Sequence, residues 1–251
     1  MIDLTGRRVV VTGGSRGIGA ACCRLFAKAG AAVLLQYLAS DDKAGAVLKE
    51  LRGLSDAPHG MFRCDVTDGD QVGKLFDFVE ERWGGLDGLV NNAGVWVHDP
   101  LAQLQPERLQ ATLAVNVVGP FLCARYAVPL LMESKNACIV NVSSTAGQRG
   151  EPFYSAYAAS KGALISATKS WSCELAPAIR VNAVAPGWVD TDMTAEALAG
   201  DRRKEIRASI PLQRVATPED IAGPVLFLAS PLARHITGEI LNVNGGSVLI
   251  G

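Results

Sequence analysis

The chain has 251 residues, 49% hydrophobic and 20% charged, enough to bury one large α/β core. Its formal net charge of -1 gives no global attraction to nucleic acid or to an anionic membrane surface. The start, MIDLTGRRVVVTGG, lacks a basic segment followed by a long apolar run, so no signal peptide is expected, and no charge-free apolar stretch of ~18 residues predicts a membrane span. Apolar runs then alternate with helical patterns. RRVVVTG (7–13) is a β-branched run ending in glycine, and IGAACCRLFAKAG (18–30) is apolar at helical spacing with Gly30 as a C-cap. Strands follow at 31–37 and 59–65, each with a helix after it, at 41–53 and 71–84. A fourth strand and its loop cover 86–94. A long helix spans 106–132, interrupted by Gly119 and Pro120. A fifth strand lies at 137–144, a helix at 155–176 and a sixth strand at 179–187. A helix at 219–230, disturbed by Pro224, and a strand at 239–246 complete the chain.

The strands are nearly all apolar rather than alternating, which suits a parallel sheet covered on both faces. Strand–helix alternation throughout predicts one doubly wound α/β domain over 1–251, a mostly parallel seven-stranded sheet flanked by helices. The polar, irregular stretch 188–216 is too long for an ordinary connection and reads as a lid, with room for short helices of its own. The six cysteines (Cys22, Cys23, Cys64, Cys123, Cys138, Cys173) make no C-x-x-C pair, and neither they nor the three histidines show metal-ligand spacing. They read as small buried hydrophobes in a reducing compartment, the cytoplasm, and no metal is expected.

TGGSRGIG (12–19) joins the first strand to the first helix. Gly13, Gly17 and Gly19 let the backbone approach a ligand closely, and the helix N-terminus offers free N–H groups to a pyrophosphate. In the usual dinucleotide fold an acid ending the second strand binds the ribose 2′-OH. Here the strand ends with Gln36, Tyr37 and Leu38. No carboxylate repels a 2′-phosphate, Arg16 can pair with one, and Ser40 can add a hydrogen bond, so NADP(H) is expected over NAD(H).

YSAYAASK (154–161) holds a Y-x-x-x-K pair, Tyr157 and Lys161, on one helix face; Tyr154 has Ala158 at that spacing. An ammonium beside a phenol favours the phenolate, and a depression of ~2–3 units would bring Tyr157 into range for general acid–base work. Tyr154 reads as pocket wall or packing.

Together these segments resemble the short-chain dehydrogenase/reductases over essentially the whole chain. TGGSRGIG resembles their cofactor turn, which implicates Gly13, Ser15, Arg16, Gly17, Ile18 and Gly19, with Tyr37 after the second strand. CDVTD (64–68) resembles the segment where Asp65 and Val66 meet the adenine. NNAG (91–94) resembles the signature after the fourth strand and implicates Asn92, Ala93 and Gly94. PGWVDTDM (186–193) resembles the nicotinamide loop, with Pro186, Gly187, Val189 and Thr191. The resemblance implies a catalytic set of Asn116, Ser144, Tyr157 and Lys161. Ser144 lies thirteen residues before Tyr157, the family spacing; its neighbour Ser143 competes, and strand alternation allows only one to face the cofactor. The implied chemistry is hydride transfer to a carbonyl. Ser144 and Tyr157 bind the oxygen, Tyr157 moves the proton, Lys161 holds the nicotinamide ribose, and Asn116 anchors a relay water.

The nearest likeness within the family is to bacterial 3-oxoacyl-(acyl carrier protein) reductases, which implies a 3-oxoacyl thioester substrate and NADPH. Two departures stand out. ELAPAIRVN (174–182) has Pro177 and Ala178 where a docking arginine is usual, with Lys135 the nearest basic substitute, and the last strand ends with Asn244 in place of an aspartate. Docking of an acyl carrier protein is therefore doubtful. A sugar, polyol, steroid-like or other small alcohol is the alternative substrate, and a non-catalytic dinucleotide sensor a remote one. Trp96, Phe153, Trp188, Met193 and Leu198 are expected around an aromatic pocket, and the resemblance implies a homotetramer.

Overall fold

A computed structural model describes residues 2–249. Its strands are β1 (Arg8–Val11), β2 (Ala32–Tyr37), β3 (Gly60–Arg63), β4 (Gly88–Asn91), β5 (Ala137–Val142), β6 (Ile179–Pro186) and β7 (Ile240–Val243). Its helices are α1 (Gly17–Lys28), α2 (Asp41–Leu54), α3 (Gly69–Trp83), α4 (Pro106–Leu113), α5 (Gly119–Met132), α6 (Thr145–Arg149), α7 (Ser155–Glu174), α8 (Asp201–Ser209) and α9 (Pro218–Ala229). The strands form one sheet in the order β3-β2-β1-β4-β5-β6-β7, and every pairing is parallel.

Successive strand residues feed opposite layers. Val9 and Val11 pack with Phe26, Leu51, Ile221 and Val225 under α1, α2 and α9. Val10 packs on the other face with Leu75, Leu89, Leu131 and Trp171, under α3, α5 and α7. Each fully buried Leu or Phe there contributes roughly 1.5–3 kcal/mol, which explains why these strands are apolar throughout. Local caps fix the helix starts. Asp68 accepts the N–H groups of Asp70 and Gln71 at α3, and Thr217 with Asp220 forms a reciprocal capping box at α9.

Two sequence expectations change. The run Pro106–Met132 is not broken at Gly119 and Pro120; it passes through a π turn at Ala114–Val118 and continues. Pro120 sits in the first turn of α5, where its missing N–H costs little. An 18-residue window of this run, though not free of charge, reaches a mean hydropathy of 1.5, long and apolar enough for a membrane span by length and composition. It packs on β4, β5 and α3, so here it serves as a core helix. Pro224 lies inside an unbroken α9.

The strand order reverses between β1 and β4, so their carboxyl ends part and open a crevice. The turn after β1, the loop after β4 and the start of α7 all meet there. Beyond β6, Val189 bridges Ala216, closing residues 188–216 into a loop that carries α8 and a small core of Leu198, Ile206 and Ile210.

Candidate active site

The glycine turn is packed so tightly that side chains are excluded from it. Gly13 and Gly17 have φ of 65° and 52°, in the left-handed region. A Cβ on Gly13 would meet Ala93 Cα at 3.0 Å, and one on Gly19 would run into the Gly13 carbonyl. Neighbouring side chains hold the turn. Asn92 Nδ2 donates to the Thr12 carbonyl at 2.9 Å, and Thr12 Oγ1 accepts from the N–H groups of Asn92 and Ala93. Gln36, at the end of β2, is a structural clamp that the sequence did not announce. Its Oε1 accepts from Gly13 N–H at 2.9 Å, and its Nε2 donates to the Cys64 carbonyl.

No side chain caps the N-terminus of α1, so its N–H groups face the crevice. The crevice is a cleft of about 360 Å³. Every residue expected to bind the cofactor lines it except Gly19, which is buried behind the turn; Ser40, Ser144 and Met193 line it as well. Bare glycines, free helix N–H groups and this cleft fit a dinucleotide, with Asp65 and Val66 toward the β3 side. Asp65 is partly engaged, since its Oδ1 accepts from the Thr67 N–H and hydroxyl.

Ser144 follows β5 by two residues and caps α6, its Oγ accepting from Ala146 N–H at 3.1 Å. It lines the cleft together with Tyr157. Ser143 Oγ donates instead to the Lys161 carbonyl at 2.9 Å, within the core. The alternation thus gives the two serines different tasks. Lys161 is buried, and its Nζ donates to the Val142 carbonyl at 2.8 Å, 5.8 Å from the centre of the Tyr157 ring.

Asn116 lies in the π turn and is wholly buried. Its Oδ1 accepts from Val95 N–H at 2.8 Å, and its Nδ2 donates to Val95 O and Ser160 Oγ. The turn aims the asparagine at the loop after β4, a common use of a π turn at a functional site. A Cβ on Gly94 would lie 3.2 Å from Asn116 Oδ1 and 3.5 Å from Lys161 Nζ, so the bare glycine lets both groups approach one point.

The electrostatics differ from the sequence expectation. Burial pushes Tyr157 up to about 12, with the nearby Ser144 hydroxyl opposing the rise and Glu151 adding to it. Burial pulls Lys161 down to about 8. The lysine does not depress the phenol, because its ammonium is turned to the Val142 carbonyl rather than to the Tyr157 oxygen.

Beside the start of α7, Trp96 stacks on Tyr154 with centroids 4.3 Å apart, and Trp188 meets Trp96 edge-on at 6.0 Å. Trp96 Nε1 donates to Glu151, whose carboxyl is held above the usual range by burial. Of the five residues expected around the pocket only Met193 lines the cleft: Trp96 and Trp188 stand outside its lining, Phe153 is 64% exposed beside His98, and Leu198 is buried within the 188–216 loop. A second concavity of about 840 Å³ lies beyond Trp188 along β7, away from Tyr157. Cys173 is exposed, unlike the other five cysteines, and no cluster that could hold a metal occurs among the described residues.

Comparison with known proteins adds to this geometry. Residues 13–247 match the family model described as enoyl-(acyl carrier protein) reductase. The 3-oxoacyl-[acyl-carrier-protein] reductase of Thermotoga maritima is 39% identical over 247 residues, covering 98% of this chain and 99% of that protein. That of Staphylococcus aureus is 37% identical over 241 residues, covering 96% and 97%. A solved short-chain dehydrogenase/reductase from Brucella melitensis, described as a glucose/ribitol dehydrogenase, superimposes with a TM-score of 0.94 at 34% identity, covering 99% of each chain. One from Mycobacterium ulcerans gives 0.93 at 27%, covering 98% and 91%.

Proposed function

The chain belongs to the short-chain dehydrogenase/reductase family of oxidoreductases, and from that membership we propose that it reduces a 3-oxoacyl thioester to the 3-hydroxy form with NADPH. The observation that carries this reading is that Ser144, Tyr157 and Lys161 line the same dinucleotide cleft. Two hydroxyls there meet a carbonyl oxygen, and negative charge growing on it is taken up by both. When bound, the reduced nicotinamide would supply the hydride. Tyr157 would pass its proton to the substrate oxygen. Lys161 would hold the ribose hydroxyls in place of the Val142 carbonyl it now bonds, and Asn116 would anchor a relay water between Lys161 and solvent. The upward shift of Tyr157 suits reduction, since the phenol keeps its proton through neutral pH.

NADPH is favoured over NADH because Leu38, Ala39 and Ser40 follow β2 with no carboxylate, and Arg16 stands at the cleft. Exposed Lys135, Pro177 and Ala178 offer a carrier protein one cation on that edge, so we favour the thioester itself as the recognised group. Exposed Val118, Phe121 and Met132 on the long helix suit a homotetramer, and we place the enzyme in the cytoplasm.

The alternative, a sugar, polyol, steroid-like or other small alcohol, draws on the Glu151 carboxylate beside Trp96, which can accept substrate hydroxyls. Product analysis decides between them. A 3-oxoacyl thioester, free and carrier-bound, is set against a sugar and polyol panel, each with NADPH and NADH. Preferential turnover of the free thioester with NADPH supports the proposal; turnover of polyols alone transfers the assignment to the alternative.

A further inference from the structure

Two cations from separate parts of the chain converge on one carboxylate at the outer end of the cleft. Lys43, in the first turn of α2, donates from Nζ to Asp192 Oδ2 at 2.7 Å. Arg16 Nη1, from the glycine turn, lies 3.9 Å from the same oxygen. Asp192 belongs to the loop after β6, so this contact spans the crevice. Arg16, Ser40 and Asp192 all line the cleft. Ser40 stands between the two cations in sequence. It is held at φ 70° and does not use its side chain to cap α2, which leaves the hydroxyl available.

We propose that Lys43 is a second reader of the cofactor 2′-phosphate beside Arg16, and that Asp192 is the carboxylate which that phosphate displaces. The inference rests on the NADP(H) reading given above.

The charge balance favours it. Arg16 and Lys43 carry two positive charges against the single one of Asp192, and among the described residues no other carboxylate is ion-paired with either cation. Two neighbouring acids are engaged elsewhere, Asp41 with Arg63 and Asp190 with Arg203, while Asp42, exposed beside Lys43, forms no ion pair among the described residues. A phosphate monoester brings ≈ -1.5 to -2 charge and three acceptor oxygens, more than a carboxylate offers to an arginine fork and an ammonium. An exposed ion pair like Lys43–Asp192 does little for folding stability, so its bridging position fits a ligand-exchange role better than a structural one. The exchange also releases Asp192, and with it the start of the 188–216 loop, only when the 2′-phosphate is present.

The two halves of the proposal predict opposite signs. The ligand-free protein is titrated calorimetrically with NADP⁺, NAD⁺ and adenosine 2′,5′-bisphosphate. The variants are Lys43→Gln, Asp192→Asn and Arg16→Gln, each first checked for an unchanged melting temperature. Lys43→Gln is expected to weaken NADP⁺ and the bisphosphate about tenfold while leaving NAD⁺ unchanged. Asp192→Asn is expected to tighten the two phosphorylated ligands severalfold and to leave NAD⁺ unchanged. Wild type that prefers NADP⁺, with a preference untouched by Lys43→Gln, overturns the inference and leaves the NADP(H) reading standing. Equal weakening of both dinucleotides makes Lys43 a structural strap and also overturns it. Wild type with no preference for NADP⁺ removes the NADP(H) reading itself.

Discussion

Asn116 and Val95 exchange two hydrogen bonds, Oδ1 accepting from the Val95 N–H at 2.8 Å and Nδ2 donating to its carbonyl at 2.9 Å. A side chain in the π turn thus replaces a strand partner for the loop after β4, and that loop carries Gly94 to within reach of Lys161. Asn116→Ala leaves both backbone groups of half-buried Val95 unpaired. The variant is expected to lose about 1–3 kcal/mol of stability in urea unfolding, together with most activity. Unchanged unfolding would mean that the loop keeps its shape without the asparagine.

The two serines separate by experiment. Ser144→Ala removes one of two donors to the developing oxyanion and is expected to lower kcat by roughly 10²–10³. Ser143→Ala removes a buried bond to the Lys161 carbonyl and is expected to act mainly on stability, by about 1 kcal/mol. Steady-state rates and unfolding midpoints for both variants check this, and a larger rate loss in Ser143→Ala reverses the assignment.

Gly19→Ala drives a methyl group into the Gly13 carbonyl and against Asn92, so the cofactor turn must open. Dinucleotide affinity is expected to fall at least about tenfold by fluorescence titration. Gly45→Ala is the control: it lies mid-helix in α2 with open space around it and is expected to stabilise slightly.

Lys161 supplies a pH signature. Its folded value is drawn down to about 8 from 10.5. Between these values the unfolded chain binds a proton that the folded chain has released, so stability rises with pH across that window. Below it, the folded protein carries a buried charge. Tyr157 acts in the other direction above pH 10, where the unfolded phenol ionises and the folded one does not until about 12. Lys161→Met is expected to be more stable than wild type at neutral pH, by a margin that shrinks as pH rises through the window. Urea unfolding at several pH values checks this, and a margin independent of pH contradicts it.

The strands and the glycine turn were legible because their causes are local. Strands covered on both faces must be apolar, and a turn that approaches a ligand must lack side chains. The Tyr157–Lys161 pairing followed from helix periodicity. What stayed hidden depends on where side chains turn in space. Gly119 and Pro120 suggested a helix break, whereas the distortion falls just before them, at a π turn with no composition signal of its own. Burial reversed the expected shift of the phenol, and Lys161, turned toward Val142 rather than Tyr157, does not oppose it. Gln36 looked like a missing acid and proved to be a clamp on Gly13. Asp192 lies far in sequence from Lys43, and no spacing rule connects them.

The central claim is that Tyr157 moves the proton. It is tested most directly by Tyr157→Phe, measured for both NADPH affinity and the rate of NADPH oxidation with a 3-oxoacyl thioester. The account predicts near-normal cofactor binding and a rate at least ~10²-fold lower. Near-normal turnover in a variant that binds NADPH as wild type does would contradict it.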